Sequence, residues 1–195
     1  MPRPSLKDQR SEQILDAYLT CVAQFGLEGA TQERVAAQAG VKRPLLRHYL
    51  GNRDQMISAL CAHVVQVFDG MSDEAALGLA YAGSGKDIVE LLFQEEADHD
   101  PRLLLAWQAL SVAVGDQPDK RDALLNSLER FLGVLTGTLQ RLFPKASSAK
   151  ARAVAQGVTS ILVNLDSLSM LAPPQSWRDE LRDGALLLLT SMEAQ

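Results

Sequence analysis

Cysteine, histidine and aromatic residues are scarce in this 195-residue chain, which holds two cysteines, three histidines and 5% Phe, Trp and Tyr. Cys21 and Cys61 lie far apart in apolar, helix-like stretches without the close ligand spacing of a zinc site. They are expected as buried free thiols in a reducing compartment rather than as a bridge. A chain of this length buries roughly 70% of the surface its unfolded form exposes, so it needs neither a disulfide nor a structural metal. With few histidines and no nucleophile beside a base, catalysis has little support, and no cofactor is expected. No apolar run approaches the ~20 residues of a membrane span, and the longest pure apolar block near the end is Ala185 to Leu189. The opening Met1-Pro-Arg-Pro-Ser-Leu-Lys lacks the apolar segment of a secretion signal. A cytoplasmic protein without membrane contact is expected.

The charge that is present is unevenly spread. The net value is −5, but residues 1–55 carry eight Lys/Arg against six Asp/Glu, a net of +2. Removing these from the totals of 19 and 24 leaves 11 against 18, so residues 56–195 carry −7. A small cationic head on an acidic body is the pattern expected if only the head approaches phosphates.

Helical periodicity dominates and alternating strand runs are missing, so the chain reads as all-α. Ile14, Leu15, Tyr18, Val22 and Phe25 recur three or four apart before Gly26, which stands where a helix end favours a left-handed residue. Thr31 is placed to cap a short helix from Gln32 to about Ala39, with Glu33 in its first turn. Gly40 ends it. Lys42-Arg43-Pro44 opens a second short helix to about Leu50, since proline is tolerated where the first-turn N–H has no partner. Gly51-Asn52 breaks that helix, and Arg53 starts a longer one to about Gly70. A poorly defined segment follows at 71–82, with Gly83-Ser84-Gly85 as a mobile turn. Further helices are expected near 87–97, 101–115, 119–142, 148–171 and 176–193, punctuated by Pro101, Pro118, Pro144 and Pro173-Pro174.

The stretch from Thr31 to Leu50 has the proportions of a helix-turn-helix. Ala36 is small where two helices must approach, and Gly40 accepts positive φ at the corner. Val35, Val41 and Leu46 are placed to fill the wedge with Leu15, Val22 and Phe25. Followed through Ile14, Ala17, Phe25, Gly26, Ala30-Thr31, Val35-Ala36, Ala39-Gly40-Val41, Leu46, His48-Tyr49 and Arg53, the first third of the chain resembles the TetR family of transcriptional regulators. A loose likeness to its BetI-like branch continues around Leu105-Ala106-Trp107-Gln108-Ala109-Leu110 and Gln156-Gly157. Lys42 replaces the family's usual serine cap, Arg47 stands where many members have tyrosine, Leu50 replaces phenylalanine and Arg53 replaces lysine. None of these departures removes positive charge.

The resemblance implies an N-terminal three-helix head (1–52) that binds DNA and a helical ligand-sensing and dimerisation body (53–195). The start of the second short helix would enter the major groove, making Lys42, Arg43, Leu45 and Arg47 candidates for base edges or nearby phosphates, with Pro44 beside them. His48 and Tyr49 are candidate phosphate clamps. Thr31, Gln32 and Arg53, at helix starts, are candidates for phosphate contact through N–H groups and side chains. Arg3, Lys7 and Arg10 are expected as a flexible basic arm. Leu45 fits either a thymine methyl or the core of the head.

In the body, residues 148–171 and 176–193 are apolar on more than one side, and Ala151, Ala155, Gly157 and Ser160 permit close approach. These two helices have the character of half a four-helix homodimer interface. The resemblance further implies an effector cavity whose occupation alters operator affinity, with Phe93, Trp107, Phe131 and Asn164 as candidate lining residues. The expected function is a ligand-responsive regulator, a repressor by the family's default, that binds a palindromic operator as a homodimer and is released by a small molecule. The alternatives are a helical dimeric scaffold or a metal-binding bundle without DNA binding. Glu96-x-x-His99 is half of a di-iron carboxylate–histidine set, but neither His48 nor His63 has a glutamate three residues earlier. Gly83-Ser84-Gly85-Lys86 lacks both the spacing and the leading strand of a phosphate loop.

Overall fold

The computed structural model describes residues 6–94, 100–168 and 171–193, with side chains from residue 9 onward. Among the described residues it is entirely helical: α1 (Leu6–Gly29), α2 (Gln32–Gln38), α3 (Arg43–Leu50), α4 (Arg53–Leu79), α5 (Gly85–Leu92), α6 (Pro101–Ala113), α7 (Pro118–Leu142), α8 (Ser148–Leu168) and α9 (Gln175–Thr190). The Glu96/His99 pair and Arg3 lie outside the described residues. No helix among those described is long and apolar enough to cross a membrane.

Two compact units are formed, Met1–Gln66 with Arg102–Leu125, and Val67–Pro101 with Asn126–Gln195. In the first, α1, α2 and α3 pack on one another. The apolar stripe of α1 is buried at Ile14, Ala17, Tyr18, Cys21 and Val22, and α3 buries Leu46 and Leu50, one turn apart. Burial pushes the Tyr18 hydroxyl up to about 12 and raises both thiols, Cys21 and Cys61, above their ordinary value, because the charged forms would lose hydration. Both cysteines are buried and free, and thiols so held are poor nucleophiles. Arg102 at the start of α6 donates to Thr20 Oγ1 at 2.6 Å and Asp16 Oδ1 at 2.8 Å, clamping α6 to α1.

Gly26 (φ 67°) breaks the helical path of α1, as the placement of that glycine predicts. Phe25 beside it departs from expectation. It is 50% exposed and outside the wedge, with the Arg34 guanidinium 4.6 Å above its ring. Leu27, just past the turn at Gly26, is the buried apolar residue at this end of α1, and the Arg34 cation gives the exposed Phe25 ring a partner that costs no burial of charge. Arg10 and Lys7 lie within α1, so they form no flexible arm.

The second unit centres on Leu79, Ile88, Phe93, Leu135, Leu139, Val158, Ala185 and Leu189. Helix α4 does not stop near Gly70 but continues to Leu79. Asp69 accepts from Ser127 Oγ at 2.6 Å, Asp73 pairs with Arg130, and Leu79 is fully buried, so tertiary partners carry the helix past a glycine. Arg141 donates to the carbonyls of Leu79 (2.8 Å) and Ala82 (3.0 Å), satisfying the end of α4.

The turn at 83–85, expected as mobile, is pinned. Ser84 Oγ accepts from Asp87 N, Asp87 Oδ2 accepts from Gly83 N at 2.8 Å, and Gly85 is buried against Leu189. Helix α5 accordingly starts at Gly85 and ends at Leu92, short of the expected 97. Ala151 and Ala155 are fully buried in this unit's own core, and a Cβ on Gly157 would lie 2.8 Å from Leu188 Cδ1. Ala151, Ala155 and Gly157 therefore serve packing inside this unit, Gly157 against α9, whereas Ser160 is exposed.

Candidate nucleic-acid interface

The two short helices are joined by a tight corner. Thr31 caps α2, its hydroxyl accepting from Arg34 N at 3.3 Å. Gly40 takes φ 62°, which permits Val41 N to reach the Ala36 carbonyl at 2.9 Å and turns the chain into α3. Val35 and Ala36 are buried beneath the corner. Lys42 is the N-cap of α3, and Pro44 occupies its first turn. Gly51 (φ 76°) ends α3, and Asn52 and Gln55 then cap each other reciprocally, each backbone N–H donating to the other's side-chain oxygen at 2.9 Å.

Helix α3 is thus held by one face and offers the other to solvent. Leu46 and Leu50 point inward, whereas Lys42, Arg43, Pro44, Arg47 and His48 are exposed. Leu45, for which the sequence left two roles open, is 39% exposed, so it belongs to the presented face. An open groove of about 500 Å³ runs along this face, bordered by Arg10 of α1 with Lys42, Pro44, Leu45 and His48. Tyr49 is half-buried, its ring 5.3 Å from His48 in an edge-to-face contact at 81°. Arg47 has no ion-pair partner among the described residues. The last turn of α3 holds Arg47 and His48, where the helix dipole favours positive charge.

Three of the expected phosphate contacts are already engaged with protein. The Thr31 hydroxyl serves the α2 cap. Gln32 donates through Nε2 to Met56 Sδ at 3.7 Å and accepts from Arg43 Nε at 3.3 Å. Arg53 pairs with Glu28 at 2.8 Å and reaches the Leu27 carbonyl at 3.4 Å, tying the start of α4 to the end of α1. Arg43 itself pairs with Glu33 Oε1 at 2.6 Å. Sequence reasoning missed both glutamates as partners. The acidic residue in the first turn of α2 was visible, but its pairing across the corner was not. It also placed Arg10 on an arm rather than at the groove.

The candidate effector-lining residues fall in different units and differ in burial. Phe93 is buried in the core of the second unit, Phe131 is half-buried on α7, Trp107 is half-buried on α6 and Asn164 is exposed on α8.

No protein-family model matches the chain. Sequence comparison does find relatives. The HTH-type transcriptional regulator BetI of Agrobacterium fabrum is 25% identical over 169 residues, covering 85% of this chain and 79% of the relative. BetI of Paraburkholderia phytofirmans is 26% identical over 167 residues, covering 85% and 84%. A TetR-family structure from Mesorhizobium loti superposes with a TM-score of 0.75 over 98% of both chains at 16% identity. The TetR-family regulator PfmR of Thermus thermophilus does so at 0.68 over 91% of this chain and 97% of its own, at 14% identity. The chain has the fold of TetR-family regulators and is distantly similar to BetI over 85% of its length.

The likeness is to helix-turn-helix transcriptional regulators rather than to enzymes. The chain's α2–corner–α3 unit is the helix-turn-helix, and α3 stands as the second of its two helices. The likeness to BetI extends through the body as well as the head, since it spans 85% of the chain.

Proposed function

We propose that this protein is an effector-released repressor of the TetR family that binds a palindromic operator as a homodimer, with residues 1–52 as the DNA-binding head and 53–195 as the sensing and dimerising body. The observation that carries the reading is the two-sidedness of α3, which buries Leu46 and Leu50 while exposing a cationic face. In this reading Arg43, Leu45 and Arg47 face base edges, and Lys42, Pro44 and His48 lie against the groove wall with Arg10 beside them. Tyr49 meets phosphate through its partly exposed edge. Thr31, Gln32 and Arg53 order the surface from behind through the contacts described above; the Thr31 N–H already donates to the Gly29 carbonyl at 2.9 Å, so the backbone N–H groups offered to phosphate are those of Gln32 and Arg53.

The homodimer is proposed to form through α8 and α9. Leu187 on α9 is 72% exposed and Val163 on α8 is exposed as well, apolar surface that a second copy would cover. Two heads related by a two-fold axis would meet half-sites roughly 34–36 Å apart or a multiple of that spacing. The effector site is assigned to the body, with Phe93 and Phe131 of the second unit as candidate wall residues. Asn164, exposed on α8, is retained only as a candidate at its rim. An effector weakens operator binding only by its differential affinity for the two states of the dimer. Such a protein works in the cytoplasm on chromosomal DNA.

The test is a mobility-shift titration on the DNA flanking the protein's own gene. A near-palindromic segment is expected to be bound, with affinity falling steeply as salt rises, since each neutralised phosphate releases counterions. Binding of no duplex at low salt would remove the proposal.

A further inference from the structure

Arg43 is the most constrained cation on the exposed face of α3. Its guanidinium is held on two sides by α2: Nη1 lies 2.6 Å from Glu33 Oε1, and Nε donates to Gln32 Oε1 at 3.3 Å. Gln32 is in turn fixed from behind by its Nε2 contact with Met56 Sδ at 3.7 Å, and Met56 is buried on α4. A chain of contacts thus runs from the core through Gln32 to the arginine, while Glu33 sets a negative charge beside it. Arg47, one turn further along α3, has no such partners among the described residues.

We propose that Glu33 and Gln32 are specificity-determining positioning residues, which hold Arg43 as an oriented, charge-compensated reader so that it discriminates operator from random DNA. This rests on the DNA-binding reading above and deepens it. A free arginine at a duplex gains from any phosphate it reaches, because phosphate attraction is independent of sequence. A carboxylate at 2.6 Å works against that gain in two ways. It repels the phosphate backbone, and it competes for the donors that a roaming guanidinium would offer. A base edge is different, since guanine O6 and N7 present two acceptors in fixed geometry and reward an arginine whose plane is already set. Fixing Nε on Gln32 and one N–H of Nη1 on Glu33 orients that plane, leaving Nη2 and the second N–H of Nη1 as the donors offered to a base. The arrangement therefore lowers sequence-independent affinity more than operator affinity.

The test uses the full-length protein, a duplex that the wild type selects from a random-sequence library, and a random duplex of equal length. Glu33→Gln is expected to tighten random-duplex binding about two- to fivefold, the range an exposed ion pair supports, with a smaller change on the selected duplex. The ratio of the two affinities falls accordingly, and the salt slope on random DNA steepens by about one. In an Arg43→Ala background Glu33→Gln is expected to leave the ratio unchanged. Gln32→Ala, which alters no charge, is expected to lower the ratio at constant thermal stability.

Equal tightening on both duplexes, in both backgrounds, would mean that Glu33 acts only as bulk charge and would overturn the proposal. Equal weakening by Gln32→Ala on both duplexes would return Gln32 to simple phosphate contact. A wild type that binds no duplex would remove the DNA-binding reading itself, an outcome distinct from binding with an unaltered ratio.

Discussion

Replacing Arg47 with alanine tests whether α3 presents the reading surface. Arg47 is exposed, follows the buried anchor Leu46 by one residue and, among the described residues, has no ion pair to surrender on binding DNA. A bidentate contact to a base is worth about 1–3 kcal/mol, or about five- to 150-fold in affinity. On a palindrome the loss recurs in each half-site, so a dimer would lose about 2–6 kcal/mol if the two sites add. The fold should be indifferent, because arginine and alanine have similar helix propensities and the side chain is outside the core. The assay is a mobility-shift or fluorescence-anisotropy titration of wild type and Arg47→Ala on the selected and random duplexes, at several salt concentrations. Lys145→Ala, at an exposed position of the second unit, serves as the control and should bind as the wild type does. A selective loss on the operator supports base reading. An equal loss on both duplexes would reassign Arg47 to phosphate contact. No loss on either would show that this face of α3 does not meet DNA.

Three further outcomes are expected. Asn52→Ala removes half of the reciprocal cap with Gln55 and should cost about 1 kcal/mol, seen as a drop of about 2–4 °C in Tm for a chain of this size. The Asp87 carboxyl is held below its ordinary range, first by the Gly83 N–H and then by Ser84, so its contribution to stability is present above its unfolded value and lost as pH falls through the folded one. Asp87→Asn should therefore lower the Tm at neutral pH but not in acid below the folded value, and an equal deficit at both would refute this account. Leu187→Asp places a charge on the proposed α9 contact and should shift sedimentation from dimer to monomer while weakening operator binding. A dimer that persists would move the interface elsewhere.

The head is largely legible in the sequence, because its determinants are local. The Thr31 cap, the positive φ of Gly40, Pro44 in a first turn and the three-to-four spacing of Ile14, Tyr18 and Val22 all act within a few residues of chain. The inward turn of Leu46 followed from the same periodicity. The sequence could name cations on α3 but could not say which were free, since the Arg43–Glu33 and Arg53–Glu28 pairs join residues that only folding brings together. The two fates open to Leu45 differed only in which side of a packed helix it occupies.

The same division holds in the body. Periodicity located its helices, yet Gly70 was read as a stop because local propensity knows nothing of Asp69 meeting Ser127 or of Asp73 meeting Arg130. The three-to-four spacing places Phe25 in the core, yet the buried apolar residue at that end of α1 is Leu27, beyond the turn at Gly26. What the chain determines alone is helical character, its punctuation and the placement of positive charge, for these depend on neighbours in sequence. Which charges are occupied, which small residues serve internal packing and how far a helix runs depend on surfaces distant in sequence, and those were decided only when the tertiary structure brought them into contact.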